Sequence, residues 1–102
     1  PMMPIPNTTR RLVISAFRFH SRLSPAEAAA LLTTFAVAQG LSDPRRPPPG
    51  SALEQWATVT KAPLWAVQAA ASWLHAHAAL ADPDEQTAVA EVLGQVGGGG
   101  EA

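Results

Sequence analysis

Arg10-Arg11-Leu12-Val13-Ile14-Ser15-Ala16-Phe17-Arg18-Phe19-His20-Ser21-Arg22-Leu23 is the stretch on which the fold turns. Wound as a helix, it puts Leu12, Ala16, Phe19 and Leu23 on one apolar stripe and Arg11, Arg18 and Arg22 on another face. Drawn out as a strand, Val13, Ser15, Phe17, Phe19 and Ser21 alternate with Ile14, Ala16, Arg18, His20 and Arg22. The β-branched and aromatic residues between Val13 and Phe19 suit a strand. A lone strand has no partner within this chain, however, because the other patterned segments are helical. The helical reading therefore predicts an all-α fold. The strand reading requires a second copy of the chain.

Downstream, Ser24-Pro25-Ala26-Glu27 opens a helix with an N-cap serine, a proline at the first helical position and a glutamate three residues after the cap. Ala28, Leu31, Leu32, Phe35 and Ala38 recur at helical spacing, and Gly40 with Leu41 forms the C-terminal stop, which predicts a helix over 25–39. Asp43-Pro44-Arg45-Arg46-Pro47-Pro48-Pro49-Gly50 predicts an extended, exposed Pro-rich loop over 43–50. A second cap pattern, Ser51-Ala52-Leu53-Glu54, opens a helix to about Thr60; a long helix follows from Pro63 to Leu80. Asp82-Pro83-Asp84-Glu85 opens a last helix carrying Ala88, Val89, Val92, Leu93 and Val96, with its acids where the helix dipole favours them. The expectation is one helical domain over 1–96, a small bundle of four to five helices. Residues 1–9 form an extended lead and 97–102 a flexible Gly-rich tail.

Composition bounds the chemistry. The chain has 102 residues and no cysteine, so it holds no disulfide, thiolate nucleophile or Cys-bound metal. Hydrophobic residues make up 47% of it, but 21 residues are alanine, which favours helix and buries little surface. The formal net charge of −1 conceals +4 in residues 1–50 and −5 in residues 51–102. A polyanion would meet the first half; the two halves of one domain, or successive protomers, could equally attract each other.

Within the long helix, Leu64, Val67, Ala71, Leu74 and Ala78 form one apolar stripe and Trp65, Ala69, Trp73 and Leu80 a second. A helix apolar around most of its circumference must be covered on most sides, which predicts a homo-oligomer, most simply a twofold dimer around it. The expected oligomer or partner interface is Leu64, Trp65, Val67, Trp73 and Leu74. Ala62 to Ala81 carries no formal charge, yet Pro63, Gln68, Ser72, His75 and His77 within it argue against a membrane span. The opening Pro1-Met2-Met3-Pro4-Ile5-Pro6 has no secretory pattern, so a cytoplasmic location is expected.

The segment Leu53 to Leu74, with Ala57 ten residues before Val67, resembles the helix-turn-helix of bacterial regulators. With the preceding helix from Leu23-Ser24 to Gly40-Leu41-Ser42, the order is similar to LuxR-type and sigma-region-4-type DNA-binding domains. The sequence departs from that pattern at the proline-rich stretch, at Lys61 where the turn glycine is usual, and in having no Lys or Arg after Lys61. Read as a strand, residues 16–23 followed by a capped helix resemble the entry of a ribbon-helix-helix dimer. Both resemblances imply duplex DNA as partner. Arg10, Arg11, Arg18 and Arg22 are the expected phosphate contacts, with Arg45 and Arg46 from the loop as auxiliaries.

No enzyme is expected: the chain shows no Ser-His-Asp pattern, phosphate-binding glycine loop or paired catalytic carboxylates. No cofactor or metal is expected either, since His75 and His77, two apart on a helix, point about 200° from each other. The expected function is a small regulatory or accessory DNA-binding homodimer. The alternative is a protein–protein adaptor or assembly factor docking through the Trp-bearing helix 63–80.

Overall fold

The computed structural model describes the backbone of residues 5–101 and the side chains of residues 5–94. It contains α1 (Asn7–Ser21), α2 (Pro25–Ala38), α3 (Gly50–Thr58), α4 (Leu64–His77) and α5 (Pro83–Glu101), with no strand among the described residues. The all-α reading holds, and the deciding stretch is helical through Ser21. The ribbon alternative falls with it.

α1 begins at Asn7, so the extended lead expected over 1–9 is shorter than that; Pro6 supplies the carbonyl that accepts from the Arg10 amide at 3.0 Å. The buried residues of α1 are Arg10, Val13, Ile14, Ala16 and Phe17. Four of these follow the i, i+3, i+4, i+7 spacing of a single face. The core stripe is thus rotated from the expected one: Phe17 is fully buried, while Phe19 is 74% exposed.

α2 starts as expected. The Ser24 hydroxyl accepts from the Glu27 amide at 3.2 Å, and the Glu27 carboxylate accepts from the Ser24 amide at 3.2 Å. The Ser24 hydroxyl, then its amide, hold the Glu27 carboxyl below its ordinary value of 4.5. At the other end Gly40 adopts φ +74, with Leu41 N–H donating to the Ala36 carbonyl and Gly40 N–H to the Val37 carbonyl. The Ser51 cap does not form: α3 begins at Gly50 behind Pro49. Gly50 sits so close to α2 that an added Cβ would lie 2.7 Å from the Ala26 nitrogen and 2.8 Å from the Pro25 carbonyl carbon. This docks the end of the proline-rich loop on the start of α2. α4 stops at His77, short of the expected Leu80. The Asp82 carboxylate accepts from the Asp84 amide at 2.8 Å and caps α5. The α5 backbone runs past the expected boundary at Val96; the glycine tail expected over 97–102 falls where side chains lie outside the described residues.

Four helices form a ring in the order α1, α3, α2, α4, and α5 covers the outside of the α1–α4 pair. α1 barely meets α2, and the backbones of α3 and α4 do not approach each other. The helix-turn-helix-like middle does not take the expected form: its two helices occupy opposite places in the ring, each packed along α1 and α2, and meet each other at the Trp56–Trp65 contact. α4 buries Ala66, Val67, Ala69, Ala70, Ala71 and Leu74 against α1, α2 and α5. The cover expected from a second protomer is supplied by the same chain. Phe17, Ile14, Leu32, Leu53, Val13 and Val92 complete the fully buried core.

Arg10 is 8% exposed. Its Nε donates to the Ile5 carbonyl at 3.1 Å and its Nη1 to the Ala62 carbonyl at 2.6 Å. It pins the lead and the α3–α4 connection to α1. Arg10→Met keeps the stem and removes the donors, leaving both buried carbonyls unserved; urea unfolding should show a loss of about 1–3 kcal/mol. Gly50→Ala should also destabilise, by about 1–3 kcal/mol, because backbone atoms block the new methyl group. Gly94→Ala, with open space around the position, should raise stability by about 0.5–1 kcal/mol in the same assay.

Candidate functional site

The candidate residues fall into different settings. Arg10 is not a phosphate contact: its guanidinium is committed inside the chain. Val67 and Leu74 are not interface residues: both are fully buried in the core. Trp73 is half-buried, edge-on to Phe17 at 5.3 Å between ring centroids, with His77 tilted against it at 5.1 Å. Phe35 reaches the other side of His77 at 6.5 Å, so this aromatic set ties α1, α2 and α4 together.

Leu64 and Trp65 remain outside the core. They lie in the first turn of α4, directly after the α3–α4 connection, and Leu64 is 39% exposed. The Trp65 ring meets Trp56 of α3 edge-on at 6.1 Å. The Arg45 guanidinium stands over Trp65, 4.7 Å from the ring centroid. Arg45 thus fastens the proline-rich loop to the start of α4 through a cation–π contact. Arg45, Arg46 and Lys61 are exposed. An open cleft of about 400 Å³ lies between the loop and α2, lined by Thr33, Val37, Ala38, Pro44, Arg45 and Pro47. Trp56 lies in the last turn of α3 and Trp65 in the first turn of α4, so the short connection between the helices brings the two rings together.

The other basic group runs along α1. Arg11 and Arg18 lie on the flank of α1 that faces α3. Arg11 Nη2 reaches the Val59 carbonyl at 3.4 Å, and Arg18 Nη2 lies 3.6 Å from the Glu54 carboxylate. Ser15 between them donates to the Ala57 carbonyl at 3.4 Å. The Nε atoms of both arginines have no partner among the described residues. Arg22 closes α1 in the left-handed region at φ +59 and is exposed. On the opposite flank, His20 Nε2 and the Glu85 carboxylate are in hydrogen-bond contact at 3.0 Å between α1 and α5, and the Thr9 hydroxyl donates to Glu91 at 3.3 Å.

These positions bear on both functional expectations. α4, the expected recognition helix, buries six of its 14 residues in the bundle. Among the described residues, no group of three His, Cys, Asp or Glu side chains is placed to hold a metal, and no helix is long and apolar enough to cross a membrane. An open cleft of about 520 Å³ between α4 and α5 is lined by Leu74, Ala78, Leu80, Val89 and Leu93, with His75 and Gln86 as its polar members. No protein-family model, curated protein or solved structure matches this chain.

The Arg18–Glu54 contact is long, and its side chains are 31% and 53% exposed. Such a pair contributes little to folding, so Glu54→Gln should change stability by less than about 0.5 kcal/mol in thermal unfolding. A larger loss would make Arg18 a second internal pin like Arg10.

Proposed function

We propose that this chain is a small protein-docking module, with its partner seated on the first turn of α4 and the adjoining loop. The observation that carries the reading is Arg45 lying over the face of Trp65, with Trp65 edge-on to Trp56, beside the partly exposed Leu64. Trp and Arg are the residues that most often anchor binding energy, because each offers a large apolar or planar surface with a polar edge. Here they are held rigidly by one another, so ordering them on binding costs little. Arg45, Arg46 and Lys61 add positive charge around the apolar centre. The partner that fits is a peptide segment with a large apolar side chain next to a carboxylate. No catalytic step belongs to this reading.

The structure weakens the DNA reading at two points. Arg10 is internal, and α4 is enclosed. Phosphate contact would rest on Arg11 and Arg18 of α1, on Arg22 just after it and on the loop arginines, with the expected recognition helix packed into the bundle.

Peptides selected from a random library against the chain should be enriched in an acid adjacent to an aromatic or large aliphatic residue. Their affinity, followed by tryptophan fluorescence, should fall at least about tenfold in Trp65→Ala and in Arg45→Ala, the range expected of anchor residues. Far-ultraviolet circular dichroism of each variant should match that of the parent. No selection of such peptides, together with salt-sensitive binding to a short DNA duplex, would replace this reading with the nucleic-acid one.

A further inference from the structure

We infer that a second copy of this chain docks along α1, parallel to it, about a twofold axis running along the helix. The surface involved is separate from the Trp65 end, and the inference stands independently of the docking function proposed above.

The outward face of α1 carries Thr8, Leu12, Ser15 and Phe19. Their spacing alternates four and three, which is the 3.5-residue repeat of a helix that packs against a like helix. Thr8, Ser15 and Phe19 are exposed and Leu12 half-buried, so the stripe is uncovered in the single chain. Phe19, at 74%, is its most exposed large apolar side chain. The two apolar positions, Leu12 and Phe19, stand one heptad apart. In the same repeat Arg11 and Arg18 occupy the flanking positions that precede Leu12 and Phe19, where charged residues choose a coiled-coil partner.

The other flank of α1 is filled by α5, and α5 is acidic. Contacts within the chain fix the heights. Thr9 bonds to Glu91, and His20 to Glu85, so α5 runs antiparallel to α1 with Glu91 beside the start of α1 and the Asp84–Glu85 turn beside its end. On the basic flank, Arg11 reaches Val59 and Arg18 reaches Glu54. A twofold axis parallel to α1 exchanges the flanks while keeping every height. It brings Arg11 opposite the partner subunit's Glu91 and Arg18 opposite the partner subunit's Asp84, and it repeats both pairings by symmetry. Phe19 meets its own mate near the axis. Asp84 and Glu91 are both exposed, and Glu85 stays with His20. Rotation about an axis across the helix would instead place basic flank against basic flank. The opposite charges of the two halves of the sequence thereby find a use: they select the parallel arrangement. The half-exposed guanidinium ends of both arginines serve the incoming carboxylates, while their Nε atoms stay buried.

Sedimentation velocity on the full chain at low salt should give twice the mass of one chain, with dissociation promoted by added salt. Phe19→Glu, and separately the pair Arg11→Gln and Arg18→Gln, should raise the dissociation constant at least about tenfold. Circular dichroism should show each variant folded. Because the chain has no cysteine, a single Ser15→Cys reports geometry directly. In a parallel pair it lies near its own mate and should cross-link on mild oxidation, whereas Ala30→Cys, exposed on α2, should not. A chain that stays monomeric at high micromolar concentration and low salt overturns the inference. So does a dimer that survives Phe19→Glu, or one whose Ser15→Cys fails to cross-link faster than Ala30→Cys.

Discussion

The buried face of α4 is built largely from Ala66, Ala69, Ala70 and Ala71, with Val67 and Leu74 as its only large members. Methyl groups let neighbouring helix backbones approach closely, and α4 accordingly has α1, α2 and α5 packed on it. Each alanine buries little area, so stability depends on how many elements share the same surface. That dependence explains the ring. With α4 in one place and α3 opposite, α1 and α2 are each wedged between the two, and neither pair of diagonal helices has to fill the middle alone. The larger side chains Phe17, Ile14, Leu32 and Leu53 enter from the other three helices and fill what the alanines leave open. A chain so rich in alanine reaches a closed core by multiplying neighbours instead of enlarging side chains.

Local signals in the sequence were legible wherever the physics was local. The start and stop of α2 depend on hydrogen bonds within a few residues, and Ser24, Glu27, Gly40 and Leu41 all take the roles that their spacing implies. The cap at Asp82 is of the same kind. Ser51 fails as a cap because a distant contact outranks a local one: Gly50 has to press on Pro25 and Ala26, and the helix begins there. The turn between α3 and α4 shows the same limit. Five residues are enough for a helix-turn-helix, but length does not say whether the second helix folds back on the first or crosses to the far side of the bundle.

The buried face of α1 differs from the expected stripe by a small rotation with large consequences. Leu12, Ala16, Phe19 and Leu23 make a plausible stripe; Arg10, Val13, Ile14 and Phe17 make the buried one. Arg10 belongs inside because two carbonyls, one of them 52 residues away, need its donors. Nothing short-range marks that need. Of the proposed site, Leu64 and Trp65 survive as a surface because they lie in the first turn of α4, where the ring has not yet closed around the helix. Val67 and Leu74, one and three turns farther on, are enclosed.

The separation of charge along the sequence has a structural counterpart. The basic half contributes α1 and the proline-rich loop; the acidic half contributes α5, and α1 and α5 lie side by side. Some attraction is spent within the chain, at His20–Glu85 and in the hydrogen bond from Thr9 to Glu91. The rest is turned outward, with Arg11 and Arg18 on one flank of α1 and Asp84 and Glu91 on the other. Exposed ion pairs contribute little to the stability of a single fold, since water and salt screen them. Their larger effect is on which surfaces meet and in which direction, because a mismatch places like charges together at close range. A helix with basic residues along one flank and acidic residues along the other has a polarity that an incoming helix must respect. On α1 that polarity surrounds an exposed phenylalanine, so the apolar contact supplies the adhesion and the charges decide the orientation.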